Sequence, residues 1–140
     1  MHKLVPKSVW SARYERINDF EKILVKNDVA IFKFFLHIST EEQARRLEQR
    51  IDNPRKNWKI SLADITERIY WDEYRAAYED ALTECSTERA PWYLIPANKK
   101  WFRNLAVSQI LVDAMTAWKM EYPPPPADPS ELRAALRAQA

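Results

Sequence analysis

The sequence contains no glycine in its 140 residues, whereas an average composition of about 7% would supply roughly ten. A loop that cradles phosphate groups needs glycine, because its backbone must approach the phosphates closely and adopt positive φ angles. These residues therefore cannot form a Walker A loop or a GxGxxG dinucleotide loop. The absence excludes a self-contained nucleotide site of either common type.

Cysteine is also rare in this sequence, long apolar segments are absent, and the net charge is small. The single cysteine, Cys85, excludes an internal disulfide and fits a reducing compartment. Met1–Trp10 holds no apolar stretch typical of a signal peptide, and no apolar run approaches the ~20 residues that span a bilayer. With a net charge of +2, only the local charge pattern can indicate a partner. We expect a soluble, cytoplasmic protein without membrane contact.

The apolar residues make up 46% of the chain and include two strand-like runs. Ile31–Ile38 and Pro91–Ile95 are near-continuous apolar segments, which suit parallel strands covered on both faces. Capping boxes are predicted for Ser39 with Glu42, for Thr40 with Gln43 and for Ser61 with Asp64. Together with apolar residues at helical spacing, they predict helices around these runs. The predicted helices span Ala12–Lys26, Thr40–Ile51, Ser61–Glu84 and Lys99–Glu121.

This order of elements predicts an α/β chain with two adjacent parallel strands and about four or five helices. Met1–Ser11 is expected to be irregular. Two strands are too few for a covered parallel sheet, so either the chain oligomerises or further strands belong upstream. Pro123–Pro126 end the last long helix, and residues 123–140 are predicted to form a Pro-rich, flexible tail with one short helix at Ser130–Arg137.

A basic segment follows the first predicted strand. Arg46 and Arg50 lie four residues apart on one helix face, and further cations surround Trp58. The end of a buried strand that leads into a basic segment is where α/β proteins hold anions. An ordinary solvated helix face with Arg–Glu pairs gives the same pattern, so both interpretations stay open at this point.

Six separate segments of the chain follow the pattern of one known family. They are INDFEK (Ile17–Lys22), KFFLHIS (Lys33–Ser39), EEQARRLEQRIDNPRKNWK (Glu41–Lys59), WDEYRAAYEDAL (Trp71–Leu82), CST (Cys85–Thr87) and APWYLIPANKKWFRNL (Ala90–Leu105). Together these segments resemble the polyphosphate kinase 2 family. The resemblance covers roughly Val9–Tyr122 in unbroken order, which makes it more specific than one short motif.

The resemblance implies part of a P-loop kinase fold, similar to that of thymidylate kinase, with a helical lid. Residues 1–122 correspond to its C-terminal half, and the lid spans about residues 39–86. The family moves a phosphoryl group between inorganic polyphosphate and a nucleoside mono- or diphosphate with Mg²⁺. Its Walker A and Walker B stretches lie upstream of everything present here, so we expect the Mg²⁺ ligands outside this chain and assign no metal ligand within it.

The resemblance also implies two sets of site residues. Polyphosphate is expected to bind the lid cations Arg46, Arg50, Lys56 and Lys59, with Arg46 and Arg50 stabilising phosphate charge. The nucleotide is expected to border the loop after the second strand, through backbone groups of Ala97 and Asn98. Lys100 and Arg103 lie at the start of the following helix, where the helix dipole disfavours cations, and this indicates either a nearby anion of the nucleotide or simple surface exposure. His37 is predicted to be a hydrogen-bonded core residue. Four aromatic residues are predicted to stack a base or, more simply, to pack between helices: Trp58, Trp71, Tyr74 and Tyr78.

Three functions are compatible with these features. The first is one part of a polyphosphate kinase 2-like phosphotransferase, inactive alone because both Walker stretches are missing. The second is a non-catalytic module, derived from that family, that binds polyanions or nucleotides. A nucleic-acid binder is the weakest, because Glu41, Glu42, Glu48 and Asp52 dilute the basic surface. The expected partners are inorganic polyphosphate, ADP, ATP or another nucleotide, and either further copies of this chain or a complementary P-loop polypeptide.

Overall fold

The structure, a computed structural model, describes residues 5–139. It confirms the predicted α/β class with two parallel strands, β1 (Lys33–His37) and β2 (Trp92–Pro96). Their register runs from Lys33 opposite Trp92 to His37 opposite Pro96. The α-helices of the described chain are α1 (Lys7–Lys26), α2 (Thr40–Ile51), α3 (Leu62–Thr66), α4 (Trp71–Glu84), α5 (Lys100–Ala117) and α6 (Pro129–Arg137).

The described chain divides into two compact units at Val107 and Ser108. The first unit contains α1 to α4, both strands and the start of α5, together with two 3₁₀ turns, Asn57–Lys59 and Glu67–Tyr70. The second contains the rest of α5 and α6. No helix in the described part is both long and apolar enough to cross a membrane.

The first helix begins earlier than predicted. It starts at Lys7, directly after Pro6 in an extended conformation, so the prediction of an irregular Met1–Ser11 is wrong from Lys7 onward. Residues 1–4 lie outside the described residues. The helix ends at Lys26, and Asp28 then takes a positive φ of 60°. Aspartate is one of the few residues other than glycine that tolerates this left-handed conformation.

The long helix predicted for Ser61–Glu84 is interrupted. Ser61 and Asp64 form the expected capping box, but α3 ends at Thr66 and a 3₁₀ turn precedes α4. Arg68, within that turn, explains the interruption. Its guanidinium donates to the Gln43 side chain at 2.9 Å and to the Thr40 carbonyl at 3.1 Å. These bonds to α2 hold the tight turn, and they connect residues too distant in sequence for periodicity to detect.

The C-terminal elements also differ from their predicted bounds. The last long helix ends at Ala117 rather than Glu121, and Lys119 follows with a left-handed φ of 48°. The predicted tail contains α6, which starts one residue before the helix expected there. Asp128 caps it by accepting the Ser130 N–H at 2.7 Å, and proline occupies its first turn.

The sheet is not covered on both faces within the described chain, which confirms the expectation that two strands are too few for a covered sheet. Leu36 is 45% exposed and Leu94 is 61% exposed, because two strands offer too little surface to bury both faces with the helices of this chain. The fully buried apolar residues in the described chain are small or medium in size: Cys85, Ala90, Ile95 and Ala97.

A buried ion pair fixes the sheet against α1. The Lys33 ammonium donates to both oxygens of Glu21, at 2.8 and 2.7 Å, and to the Cys85 carbonyl at 2.6 Å. The Lys33 and Glu21 side chains are only 10% and 11% exposed. Lys33 also lies 5.3 Å from the centre of the Trp92 ring. The charge that interrupts the apolar run of β1 is therefore an anchor between elements.

Lys33→Met is expected to destabilise the chain by about 3–5 kcal/mol, because it leaves the Glu21 carboxylate buried without its partner. The double variant Lys33→Met, Glu21→Leu should recover much of that loss. Urea denaturation followed by circular dichroism measures both changes.

The control is Arg75→Ala, which removes an exposed cation that pairs loosely with Asp72 and Glu79 on α4. Such a pair contributes at most about 1 kcal/mol. An equal loss in Arg75→Ala and Lys33→Met would contradict the anchoring role of Lys33.

Candidate functional site

Arg46 connects α2 with the loop after β2. Its Nε donates to Glu42 at 2.7 Å, and its Nη2 donates to the Ala97 carbonyl at 2.6 Å and to that of Asn98 at 3.4 Å. The Arg46 side chain is 22% exposed. The structure thus brings one residue of the expected polyphosphate set against two of the expected nucleotide set.

The Asn98 side chain closes the same junction. Its Oδ1 accepts the backbone N–H of Ser39 at 3.0 Å, and its Nδ2 lies 3.5 Å from the Ser39 hydroxyl. That hydroxyl in turn accepts the Glu42 N–H and caps α2. The sequence indicated the backbone of Asn98 as part of the nucleotide site but did not predict the bonds of its side chain to Ser39. One signal was available, because the N–H of Ser39 at the start of α2 has no acceptor within that helix.

Glu42 orients two arginines. Arg45 donates to it through Nε at 2.8 Å and Nη2 at 2.6 Å, and Arg46 binds the same carboxylate. The hydrogen bonds from Arg45, followed by those from Arg46, lower the pKa of Glu42 to about 2. This is the Arg–Glu pairing of an ordinary helix face, but it also holds the Arg46 guanidinium at the junction.

The other three residues expected to bind polyphosphate, Arg50, Lys56 and Lys59, have fewer partners. Arg50 is half-buried near Asp64, whose pKa is lowered mainly by hydrogen bonds from the backbone and side chain of Ser61 and, to a smaller extent, by the charge of Arg50. Lys56 is exposed at the rim of a shallow depression after α2. The Lys59 ammonium lies 5.0 Å from the centre of the exposed Trp58 ring. Lys56 and Lys59 are thus exposed to solvent, while Arg50 is only partly so.

The residues expected to bind the nucleotide differ in their solvent exposure and in the hydrogen bonds that they already make. Ala97 is 1% exposed. Its carbonyl accepts a hydrogen bond from Arg46, and its N–H donates to the His37 carbonyl at 2.7 Å. Lys100 is exposed at the start of α5, whereas the half-buried Arg103 donates to the Asn104 side chain at 3.1 and 2.7 Å. The nucleotide assignment of these residues stays a prediction.

The structure also shows the surroundings of His37 and of two of the four aromatic residues, Tyr74 and Tyr78. His37 is exposed rather than a core residue, because the end of β1 is open on that face. Its ring lies 6.1 Å from that of Phe35. Tyr78 packs on Phe35 with ring centres 4.8 Å apart, and the Tyr74 hydroxyl donates to Glu67 at 3.1 Å. These two tyrosines therefore serve packing between α4 and its neighbours.

Possible metal ligands among the described residues are few, and several of them are engaged by other groups. Between residues 5 and 139, no group of three or more His, Cys, Asp or Glu side chains is arranged to hold a metal ion. Three carboxylates near the strands and lid are already engaged: Glu21 by Lys33, Glu42 by two arginines, and Asp64 by Ser61. Cys85 is buried, and desolvation raises the pKa of its thiol, which disfavours the thiolate that binds metals.

Comparison with known proteins gives a consistent result. A family profile described as Polyphosphate kinase 2 (PPK2) matches residues 1–123. The AMP/ADP-polyphosphate phosphotransferase of Meiothermus ruber is 52% identical over 122 residues, which is 87% of this chain and 46% of that protein. A Leptolyngbya boryana chain described as an uncharacterized protein in the chlN 3′ region is 47% identical over 115 residues, 82% of this chain and 85% of its own.

A solved structure agrees with this relationship. Polyphosphate Kinase 2 from Arthrobacter aurescens TC1 is 42% identical and superimposes with a TM-score of 0.87, over 94% of this chain and 47% of its own. This chain therefore spans about half the length of the Meiothermus and Arthrobacter proteins, but most of the Leptolyngbya one.

The lowered pKa of Glu42 predicts an acid-dependent stability. A carboxyl group with a depressed folded-state pKa stabilises the fold above its unfolded value and loses that contribution as pH falls through the folded value. Between about pH 4.5 and pH 2, the melting temperature of Glu42→Gln should therefore fall less than that of the original chain. Thermal unfolding at pH 7, 4.5, 3 and 2.5 tests this.

Glu48→Gln is the matched control, since it removes one charge from an exposed position on the same helix. If Glu42→Gln and Glu48→Gln changed the pH slope equally, a general charge effect would replace the specific role of Glu42.

Proposed function

This chain belongs to the polyphosphate kinase 2 family, and we propose that it supplies the lid and C-terminal half of a phosphotransferase. The reaction would move a phosphoryl group between inorganic polyphosphate and a nucleoside mono- or diphosphate. The observation that supports this most is the junction at Arg46. There a guanidinium on the lid helix is held against the loop in which the nucleotide residues are expected.

The lid cations suit a polyphosphate chain. Polyphosphate carries about one negative charge per phosphate, and phosphoryl transfer depends mainly on positioning and charge stabilisation. Arg50 offers a planar fork that can bind phosphate through two N–H groups, whereas Lys56 and Lys59 act as mobile point charges. Arg46 contributes through the donors that Glu42 and Ala97 do not use. The four side chains together would bind and orient the chain.

The nucleotide would lie next to this junction. Lys100 and Arg103 stand in the first turn of α5, where a cation is disfavoured by the helix dipole unless an anion is nearby. Lys100 is exposed and free to meet a phosphate, while Arg103 would have to exchange its bond to Asn104. Asn98 and Ala97 shape the loop through their bonds to Ser39 and His37.

The Walker half of the site would come from outside these 140 residues. Mg²⁺ is expected to bind there, where it would neutralise phosphate charge, because the described residues contain no suitable group of ligands. Alone, this chain is expected to bind polyphosphate without turning it over. We place the reaction in the cytoplasm, where the single cysteine would stay reduced.

A second candidate is a non-catalytic polyanion- or nucleotide-binding module. The similarity to the Leptolyngbya chain favours it, because this chain matches 85% of that relative's length and the relative is therefore of similar size. Both proposals predict polyphosphate binding and differ only in whether a partner restores turnover.

Arg50→Ala is expected to weaken polyphosphate binding by about 1–3 kcal/mol without lowering stability, since a charge-assisted hydrogen bond is lost. Arg46→Ala should lose a similar amount of affinity and also lower stability, because it leaves Glu42 and the Ala97 carbonyl with one donor fewer. Calorimetry with polyphosphate at two salt concentrations measures affinity, and its salt dependence reports the ionic contacts.

Arg75→Ala serves as the control, since this exposed arginine lies on α4 among acidic residues. Unchanged affinity in the double variant Arg46→Ala, Arg50→Ala would overturn the site assignment. Equal affinity for single-stranded DNA of the same charge would favour a general polyanion binder.

The purified chain with polyphosphate, ADP and Mg²⁺ is expected to form no ATP, because losing a cluster that acts as a unit costs many orders of magnitude. Adding the Walker half of the Arthrobacter relative should produce ATP formation that Arg50→Ala reduces. Rapid ATP formation by the chain alone would falsify the partial-site proposal, and no formation by the mixture would favour the non-catalytic module.

A further inference from the structure

We propose that Arg68 is a positioning residue for polyphosphate binding. Its hydrogen bonds to α2 would hold two groups of cations at a fixed spacing, so that one polyphosphate chain can contact both groups at once. This inference rests on the proposed function and deepens it, because it adds a residue that acts through the four expected phosphate-binding residues without contacting phosphate itself.

The clasp, as we call the hydrogen bonds from Arg68 to α2, consists of two contacts. The Arg68 Nε donates to Gln43 Oε1 at 2.9 Å, and its Nη2 donates to the Thr40 carbonyl at 3.1 Å. Arg68 and Gln43 are both half-buried. A planar guanidinium that donates twice fixes direction as well as distance. The clasp therefore holds the 3₁₀ turn Glu67–Tyr70 against the first turn of α2.

The clasp closes a loop of the chain that contains all four expected phosphate-binding residues. Gln43 and Arg68 are 25 residues apart in the sequence. The chain between them comprises the rest of α2, the 3₁₀ turn Asn57–Lys59 and α3. Opening the clasp would release the far end of this loop from the start of α2 and leave the connection through the mostly exposed residues 52–61.

The cations form two groups within this loop. Arg46 and Arg50 lie on the same face of α2 as Gln43, at spacings of three and seven residues. These three residues are half-buried, whereas Lys56 and Lys59 are exposed in the connection after α2. The spacing between the two groups is thus not fixed by one rigid helix. It depends on how the connection and α3 are held along α2.

A second contact supports the same arrangement. Ser61 donates to Asp64 through its backbone N–H at 2.7 Å and its hydroxyl at 2.9 Å. These bonds, with a smaller contribution from the charge of Arg50, lower the pKa of Asp64. Asp64 in α3 therefore lies near the end of α2, while Arg68 binds its beginning. Since Gln43 and Arg50 are about 10 Å apart along the helix axis at roughly 1.5 Å per residue, the segment from Asp64 to Arg68 runs beside α2.

A linear polyanion makes the spacing of the two groups matter. Once one phosphate is bound, the next cation meets the same chain at a high effective concentration only if both groups can be reached at once. Groups that are held in place before binding also reduce the entropy lost when the ligand arrives. A short anion that contacts one group gains neither advantage. Loss of the clasp should therefore weaken the binding of long chains and spare that of short ones.

Direct contact between Arg68 and a phosphate is the alternative. Two of the Arg68 donors, Nε and Nη2, already bind protein acceptors, so a phosphate would have to displace these acceptors or use Nη1. The alternatives assign different roles to Gln43. Because its side chain is neutral, Gln43 offers a polyanion no charge, and only the positioning role of Arg68 makes the loss of Gln43 weaken binding.

Gln43→Leu is the first test, because it opens half of the clasp without changing the charge. Calorimetry at two salt concentrations should show binding of long-chain polyphosphate weakened by about fivefold and that of tripolyphosphate changed by less than about twofold. The slope of log affinity against log salt should become shallower by about 0.7 for each cation that stops binding. Gln109→Leu is the matched control, since it also removes one side-chain bond, to Asp113 on α5, and it should bind both anions as the original chain does.

Variants of Arg68 separate position from charge. Arg68→Met opens the whole clasp and should weaken long-chain binding by about tenfold or more. Arg68→Lys keeps the charge but cannot reproduce the two-donor geometry, so its affinity should fall as that of Arg68→Met does. Arg75→Met controls for charge, because it removes an exposed cation from α4. Adding Gln43→Leu to Arg68→Met should weaken binding little further, because the clasp is already open.

Hydrogen exchange reports on the clasp without any ligand. The N–H groups of Lys56 and Lys59 donate to the carbonyls of Asn53 and Lys56. Their exchange should accelerate in Gln43→Leu and Arg68→Met, while the amides of β1 exchange as in the original chain. Faster exchange with unchanged long-chain affinity would overturn the positioning role. Original affinity in Arg68→Lys would overturn it as well, because a direct charge contact would then explain the loss in Arg68→Met.

These results are distinguishable from failure of the proposed function. If the original chain bound no polyphosphate while hydrogen exchange changed as expected, the proposed function would fail, and the role of Arg68 in binding would be overturned with it. If the original chain bound polyphosphate and the variants with an opened clasp bound it equally well, only the positioning role would fail.

Discussion

The first unit depends on one buried polar contact, the ammonium of Lys33 between the Glu21 carboxylate and the Cys85 carbonyl. This contact joins α1, β1 and the end of α4 through a single atom. Because all three groups are largely removed from water, each must be in place for the others to be satisfied. The described chain has few large buried apolar side chains, so this anchor determines the packing of the sheet more than an apolar core does.

The anchor also determines the geometry at the opposite end of the strands. Lys33 begins β1 and His37 ends it, and the bond from the Ala97 N–H to the His37 carbonyl completes the ladder. Because alternate residues of a strand face opposite sides, a slip of one residue would turn Lys33 away from Glu21. The same slip would displace the Ala97 carbonyl that Arg46 binds. The position of the lid cation is therefore coupled to a contact at the far end of the sheet.

Local signals in the sequence were sufficient for part of this structure. Two apolar runs predicted the strands, and Ser39 and Ser61 predicted the helix starts, because a cap and its helix lie within four residues of each other. The break at Arg68 and the roles of Lys33 and Arg46 were not predictable in this way. Each depends on a partner in another helix, strand or loop, and the spacing of residues along the chain does not identify that partner. The apolar runs of β1 and β2 predicted cover on both faces, and the small number of strands predicted that this chain alone would not provide it. An apolar run does not indicate which polypeptide covers it.

The four cations expected to bind polyphosphate differ in how much conformational freedom they have already lost. Glu42 holds Arg46 in place and lies between it and Arg45, so one carboxylate cancels part of the charge of two arginines. A side chain that is ordered on folding pays little conformational entropy when a ligand arrives. Lys56 and Lys59 are exposed and would be ordered only on binding. Within the proposed function, Arg46 would therefore fix the position of a phosphate relative to the loop after β2. The mobile lysines would provide most of the long-range attraction, which salt weakens.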